Sequence, residues 1–263
     1  MDAKRYKALG CVAALYFIGS ATVAQAQDAE LPFAPILTIG TTPLLNDQVI
    51  SNADGSFTLL GNQQGGLLDG KPVWDLTWDL TLNQDPSITG TVTLVNLTTV
   101  TRPFNLAFSL PITPAFSPSL FGGSIDASLV DANGDKSAAI APIAISPSIY
   151  RGTIDSITQL SLLAGNVSCS GSNPGCIATA SDEFGLLPGP VPTLAGPAVN
   201  SAIGIFLNFS MTPGDRVTFT TRFVVEPPSA VPLPAGLPLL LSGLGALALR
   251  RRRSLENVAV QPK

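Results

Sequence analysis

The sequence predicts an all-β protein: an antiparallel β-sandwich ectodomain followed by a C-terminal transmembrane helix. Three observations carry this. Between Trp74 and Val225, apolar residues alternate with polar ones at a period of two. Glycine and proline number 24 and 23 of 263 residues, and no long stretch has helical periodicity. Residues 231–249 contain no charge and run directly into Arg250, Arg251, Arg252 and Arg253.

The first 26 residues read as a signal peptide. Lys4, Arg5 and Lys7 precede an apolar run from Leu9 to Ile18, and Ala24 and Ala26 supply the small side chains that signal peptidase accepts at its cut. An apolar run of roughly ten residues is too short for about 30 Å of hydrocarbon, which favours cleavage over a retained anchor.

Residues 27–228 form the expected ectodomain. Trp74, Leu76, Trp78, Leu80 and Leu82 alternate with Asp75, Thr77, Asp79 and Thr81, the pattern of a strand with one dry face. A turn at Asp85–Pro86 leads to Val92 and Leu94. The alternation returns in Phe104 to Ile112, Ile125 to Leu129, Ile203 to Met211 and Val217 to Val225. Asp54-Gly55 and Asn133-Gly134 mark tight turns. A sandwich of roughly eight to ten strands accounts for this length and spacing. Residues 140–149, with Pro142 and Pro147, read as an edge strand or extended loop. Residues 185–197 read as loop. Ile154, Ile157, Leu160 and Leu163 sit at spacing three, so 155–163 is expected to form a short helix. With Cys11 in the leader, Cys169 and Cys176 remain as a pair around a Ser-Gly-Ser-Asn-Pro-Gly loop, and an exported chain would join them in a disulfide.

Composition excludes several chemistries. Histidine is absent, which removes Ser-His-Asp and Cys-His nucleophiles and histidine-bound zinc. Residues 27–228 hold six basic and sixteen acidic side chains, a net charge of −10 that disfavours nucleic acid. Asp75 and Asp79 share a strand face about 13 Å apart, too far for a pair of glycosidase carboxylates. Asp131, Asn133 and Asp135 resemble the opening of a calcium loop. Lys136 stands where that loop needs glycine and Pro142 where it needs glutamate, so a hairpin turn is the favoured reading. Trp74 and Trp78 lie with three leucines and are expected in the core rather than on a sugar platform. Phe121, Tyr150 and Phe184 are the loop aromatics that a carbohydrate-binding site would use. No catalytic residue and no cofactor is expected.

The C-terminal part is the most specific. Nineteen helical residues reach about 29 Å, enough to span a bilayer, and four arginines stop transfer on the cytoplasmic side. Prolines 232, 234 and 238 keep the head of the segment extended. VPLPAGLPLLLSGLGALALRRRR resembles the VPLPA variant of the PEP-CTERM sorting domain, with proline motif, apolar helix and arginine cluster in order. The likeness covers about 23 residues. The ten-residue tail at 254–263 departs from the family, which usually ends soon after the arginines.

The resemblance implies an exported protein of a Gram-negative bacterium. It would be anchored in the membrane at first and then processed by an exosortase-type transpeptidase near Val231, Pro232, Leu233, Pro234 and Ala235. Its destination would be the cell surface or an extracellular polysaccharide (biofilm) matrix. The expected role is non-catalytic; a carbohydrate-binding module or adhesin on the same scaffold, and a carboxylate-based hydrolase, are the rival expectations.

Overall fold

A computed structural model describes residues 35–228 except 145, 173, 189 and 190. The leader with Ala24 and Ala26, the motif residues 231–235, the apolar segment, arginines 250–253 and the tail lie outside the described residues. The described chain has no helix and forms eighteen strands: β1 (Ile36–Ile39), β2 (Thr42–Pro43), β3 (Gln48–Ser51), β4 (Phe57–Gly65), β5 (Trp74–Asn83), β6 (Ser87–Asn96), β7 (Arg102–Pro111), β8 (Ser119–Val130), β9 (Ser137–Pro142), β10 (Tyr150–Ile154), β11 (Ile157–Leu162), β12 (Val167–Ser170), β13 (Ile177–Phe184), β14 (Leu186–Leu187), β15 (Val191–Pro192), β16 (Leu194–Gly196), β17 (Ala202–Met211) and β18 (Arg216–Glu226).

They build two large antiparallel sheets. In the first the order is β11-β10-β17-β7-β1-β2, with β9 pairing the far end of β17 and β12 pairing β9. In the second it is β13-β8-β18-β6-β5-β4-β3, with β16 beside the start of β8. The alternating residues put their apolar sides between the sheets. Leu76, Trp78, Leu80, Phe108, Ile125, Phe209, Phe219 and Phe223 are all buried in one cluster. Phe209 of the first sheet and Phe219 of the second meet edge to face at 5.0 Å, a favoured aromatic geometry. The Tyr150 hydroxyl crosses from β10 to donate to the Arg222 carbonyl of β18 at 2.7 Å. The arrangement is sandwich-like.

Trp74 and Trp78 belong to this core. Their rings lie over the glycines opposite them, Gly65 and Gly61. A Cβ on Gly61 would come within 2.0 Å of Trp78, so the indole occupies the space a larger residue would need.

Four local expectations are corrected. Residues 155–163 are not helical: β10 and β11 form a hairpin whose two turn residues, Asp155 and Ser156, have φ of 49° and 67°. The spacing of three does not mark one buried face: Ile157 is exposed, Leu160 is buried within β11, and Leu163 lies just past its end with φ of 57°. Residues 131–136 do not close a hairpin, since β8 and β9 lie in different sheets and the segment crosses between them. Of residues 140–149, the first three end β9, which is paired on both sides, by β12 and β17, and is not an edge; the described residues of 143–149 form no strand, in keeping with the extended-loop reading. Residues 185–197 hold three short strands, of which β16 extends the second sheet.

The two poles of the sandwich differ. At one, the described residues begin in β1 and end just after β18, near the turns at 84–86, 155–156 and 197–201. At the other, four connections pass between the sheets: β6 to β7, β8 to β9, β12 to β13 and β17 to β18. We refer to these as the exit pole and the crossover pole.

Candidate functional site: the crossover pole and the faces around it

Where strands leave their sheets, backbone N–H and C=O groups lose ladder partners and need others. At the crossover pole buried side chains supply them. Asn96, fully buried at the end of β6, donates Nδ2 to the carbonyls of Val100, Met211 and Thr212, so one amide joins two crossings. Its Oδ1 accepts from the Thr98 amide and hydroxyl.

Asp131 acts in the same way. Its Oδ1 accepts from the amides of Gly134 and Asp135, and its Oδ2 from those of Lys136 and Gly175. Gly175 lies in the loop closed by the Cys169–Cys176 disulfide, whose Cα atoms are 5.9 Å apart. The carboxylate therefore clips the β8–β9 crossing to the β12–β13 crossing. Burial works to raise its pKa, but the four amides outweigh that and hold it below the ordinary carboxylate range. Asn133 donates to the Asp135 carboxylate and to the Pro213 carbonyl. Asp135 accepts from the Ser137 amide. Both Asp131 oxygens are thus filled by N–H groups, which leaves them poorly placed to ligate calcium. Among the described residues no group of three metal-ligating side chains occurs.

Asp215 is the exception. It is fully buried, and its Oδ1 has no hydrogen-bond partner. Its Oδ2 makes a short contact with Thr212 Oγ1. That hydroxyl also accepts from the Ala139 amide at 2.7 Å and lies 3.0 Å from the Ala139 carbonyl. The Thr212 hydroxyl donates to Asp215 Oδ2, which by itself favours the charged carboxylate. Burial is the largest influence on the Asp215 pKa and raises it, helped by the charges of Asp135 and Asp131 and opposed by the Thr212 hydroxyl and the Ala132 backbone.

At the exit pole Asp155 accepts from the amides of Asn200, Ser201 and Ala202, from Asn200 Nδ2 and from the Ser201 hydroxyl. Burial alone would raise its pKa, but these donors hold it far below the ordinary value.

The outer face of the second sheet is a lattice of hydroxyls and acids. Asn62, Thr77, Thr93, Thr218, Ser128 and Thr179 align across six strands. Asp79, Thr91, Thr220, Asp126 and Ser181 form the adjacent row. Neighbouring strands are about 4.8 Å apart, and Thr93 and Thr218 bond across that gap at 3.0 Å. Over β18, β8 and β13 this face sinks into a shallow hollow of about 520 Å³ that contains Asp126. Asp75 is occupied by Asn62 and Gln64 on the same face.

The aromatic candidates separate. Phe121 and Tyr150 are buried, and Phe184 is 58% exposed at the end of β13. Phe206, on the outer face of the first sheet, lies under the Arg151 guanidinium at 5.6 Å. No aromatic strip forms among the described residues.

A second cleft, of about 330 Å³, opens at the crossover pole between the β1–β2 turn, the 66–73 loop and the start of β7. Ile39, Val73, Trp74 and Phe104 give it an apolar floor, Leu67 and Leu68 line it, and Arg102 brings the one charged side chain in its lining. No sequence pattern had marked it.

No family model and no curated protein matches the chain.

Proposed function

We propose that this is an exported, non-catalytic surface or matrix protein, carried out by its leader, held by its C-terminal apolar segment and processed at the VPLPA motif by an exosortase-type transpeptidase. The observation that carries the proposal is the ordered sequence of 231–253: proline motif, uncharged span and four arginines. The geometry of the described part is compatible with it. The described residues end at the pole where they also begin, so an anchor after residue 228 would turn the crossover pole, its disulfide and its cleft away from the membrane. The bonded carboxylates Asp131 and Asp155 act as structural clips.

The test is the mass of the protein recovered from the surface or medium of an exosortase-bearing host. The expected product lacks Arg250, Arg251, Arg252 and Arg253. An extracellular chain that keeps all four overturns the proposal.

A second reading draws on the hydroxyl lattice, which offers a polyhydroxylated polymer many hydrogen-bonding groups but no aromatic platform. In that reading the protein adheres to matrix polysaccharide through the face around Asp126. A glycan screen with wild type and Asp126→Ala separates the two readings.

A further inference from the structure

We propose that the cleft at the crossover pole binds a carboxylate-headed amphiphile, with its apolar chain on Trp74 and its head at Arg102. The inference is independent of how the protein is sorted. About 330 Å³ lies at the lower end of ligand-pocket volumes, which suits a short acyl chain. The floor of Ile39, Val73, Trp74 and Phe104 is apolar and already packed into the core, so it is held rigid. Leu67 and Leu68 are 74% and 48% exposed, a large apolar surface left to water at a loop tip. Such surface marks interaction sites in soluble proteins.

The choice of head group follows from charge. Arg102 lines the cleft, and its Nε–H is buried with no hydrogen-bond partner. That enclosed donor is not reachable from the cleft, but a carboxylate is the strongest partner for the guanidinium charge that the lining presents. No acidic side chain lines the cleft. Residues 27–228 carry net −10, so most of the surface repels an anion and this lining does not. A cationic amphiphile would meet Arg102 as a like charge.

The test uses the full chain and reads the indole N–H signals by NMR. The protein has two tryptophans, both in β5, so an amphiphile taken up by the C-terminal apolar segment leaves these signals unchanged. Octanoate is expected to shift the Trp74 signal saturably and to leave that of Trp78, which donates to Asn46 Oδ1 at 3.0 Å, in place. Acetate shifts neither, and octanol and octylamine bind at least ten-fold more weakly. Arg102→Gln is expected to weaken octanoate at least ten-fold, to the level of octanol. Leu67→Asp, at an exposed position that the fold does not depend on, removes apolar contact from both ligands and adds a charge that repels one, so it is expected to weaken octanoate more than octanol; it decides the matter if Arg102→Gln does not fold. A silent Trp74 signal up to the solubility limit of octanoate, equal binding of octanoate and octylamine, or octanoate binding unaffected by Leu67→Asp overturns the proposal.

Discussion

At the exit pole Asp155, half-buried, gathers five donors around its carboxylate; at the crossover pole Asp215, fully buried, has an Oδ1 with no hydrogen bond. The residue type is the same and the consequence is opposite. Donors aimed at a carboxylate stabilise its charged form, whereas burial beside other carboxylates stabilises the neutral one. Asp131 shows that the difference is not one of pole. It sits close enough to raise the Asp215 pKa, yet its own four amides lower its pKa. What decides is the balance between burial and donors: four amides outweigh burial at Asp131, whereas the Thr212 hydroxyl and the Ala132 backbone do not outweigh it at Asp215.

The strongest way to break the comparison is to remove the amide that holds the crossover pole together. Asn96→Ala strips a side-chain partner from the Met211 and Thr212 carbonyls, while Val100 keeps the Thr98 hydroxyl, and a loss of about 3 kcal/mol is expected in urea unfolding. A loss below about 1 kcal/mol would mean the crossings hold without it.

Next comes Asp155→Ala, which is expected to cost about 2 kcal/mol at pH 7. The pH dependence carries its sign. Asp155 has a lowered pKa in the folded chain, so its contribution is present above its ordinary value of 3.8 and is lost as pH falls toward the folded value. Wild type should therefore lose more stability than Asp155→Ala between pH 4 and pH 2, read as the gap between their unfolding midpoints.

The smallest effect, and the one of opposite sign, is at Asp215. Its pKa is raised on folding, so its contribution is present below 3.8 and is lost as pH rises through the folded value. Asp215→Asn keeps an amide oxygen that can accept from Thr212 Oγ1 and carries no charge. It is expected to be about 1 kcal/mol more stable than wild type at pH 8 and to converge with it near pH 4. An Asn variant less stable than wild type at every pH would show that the charged form is the native one.

The parity of apolar residues made most of the two sheets legible, because one face of each long strand is dry and the other wet. Phe104 to Ile112 and Ile203 to Met211 land where alternation puts them. Turns were harder to read. Asp155-Ser156 makes a tight hairpin without the Asn-Gly or Asp-Gly pair that usually marks one. Asn133-Gly134 has that signal but joins strands that pair with others, since a local sequence does not encode its strand's partner. The same parity that located the core could have found Asn96 and Asp215. Both continue an inward-facing series, after Leu94 and before Val217, where a polar residue is out of place unless it serves the backbone. The cleft left no trace in any one segment, because it is assembled from three.

The final two strands occupy the middle of the structure rather than its margin. β17 separates β7 from β10, and β18 separates β6 from β8. A chain emerging from its N-terminus therefore holds five partial sheets with open edges before these two strands arrive. Non-local pairing of this kind folds slowly and exposes unpaired strands meanwhile. Closure is set by the arrival of the last described strand, so a truncation a few residues short of Glu226 should weaken both the ladder it leaves and the order in which every earlier strand finds its place.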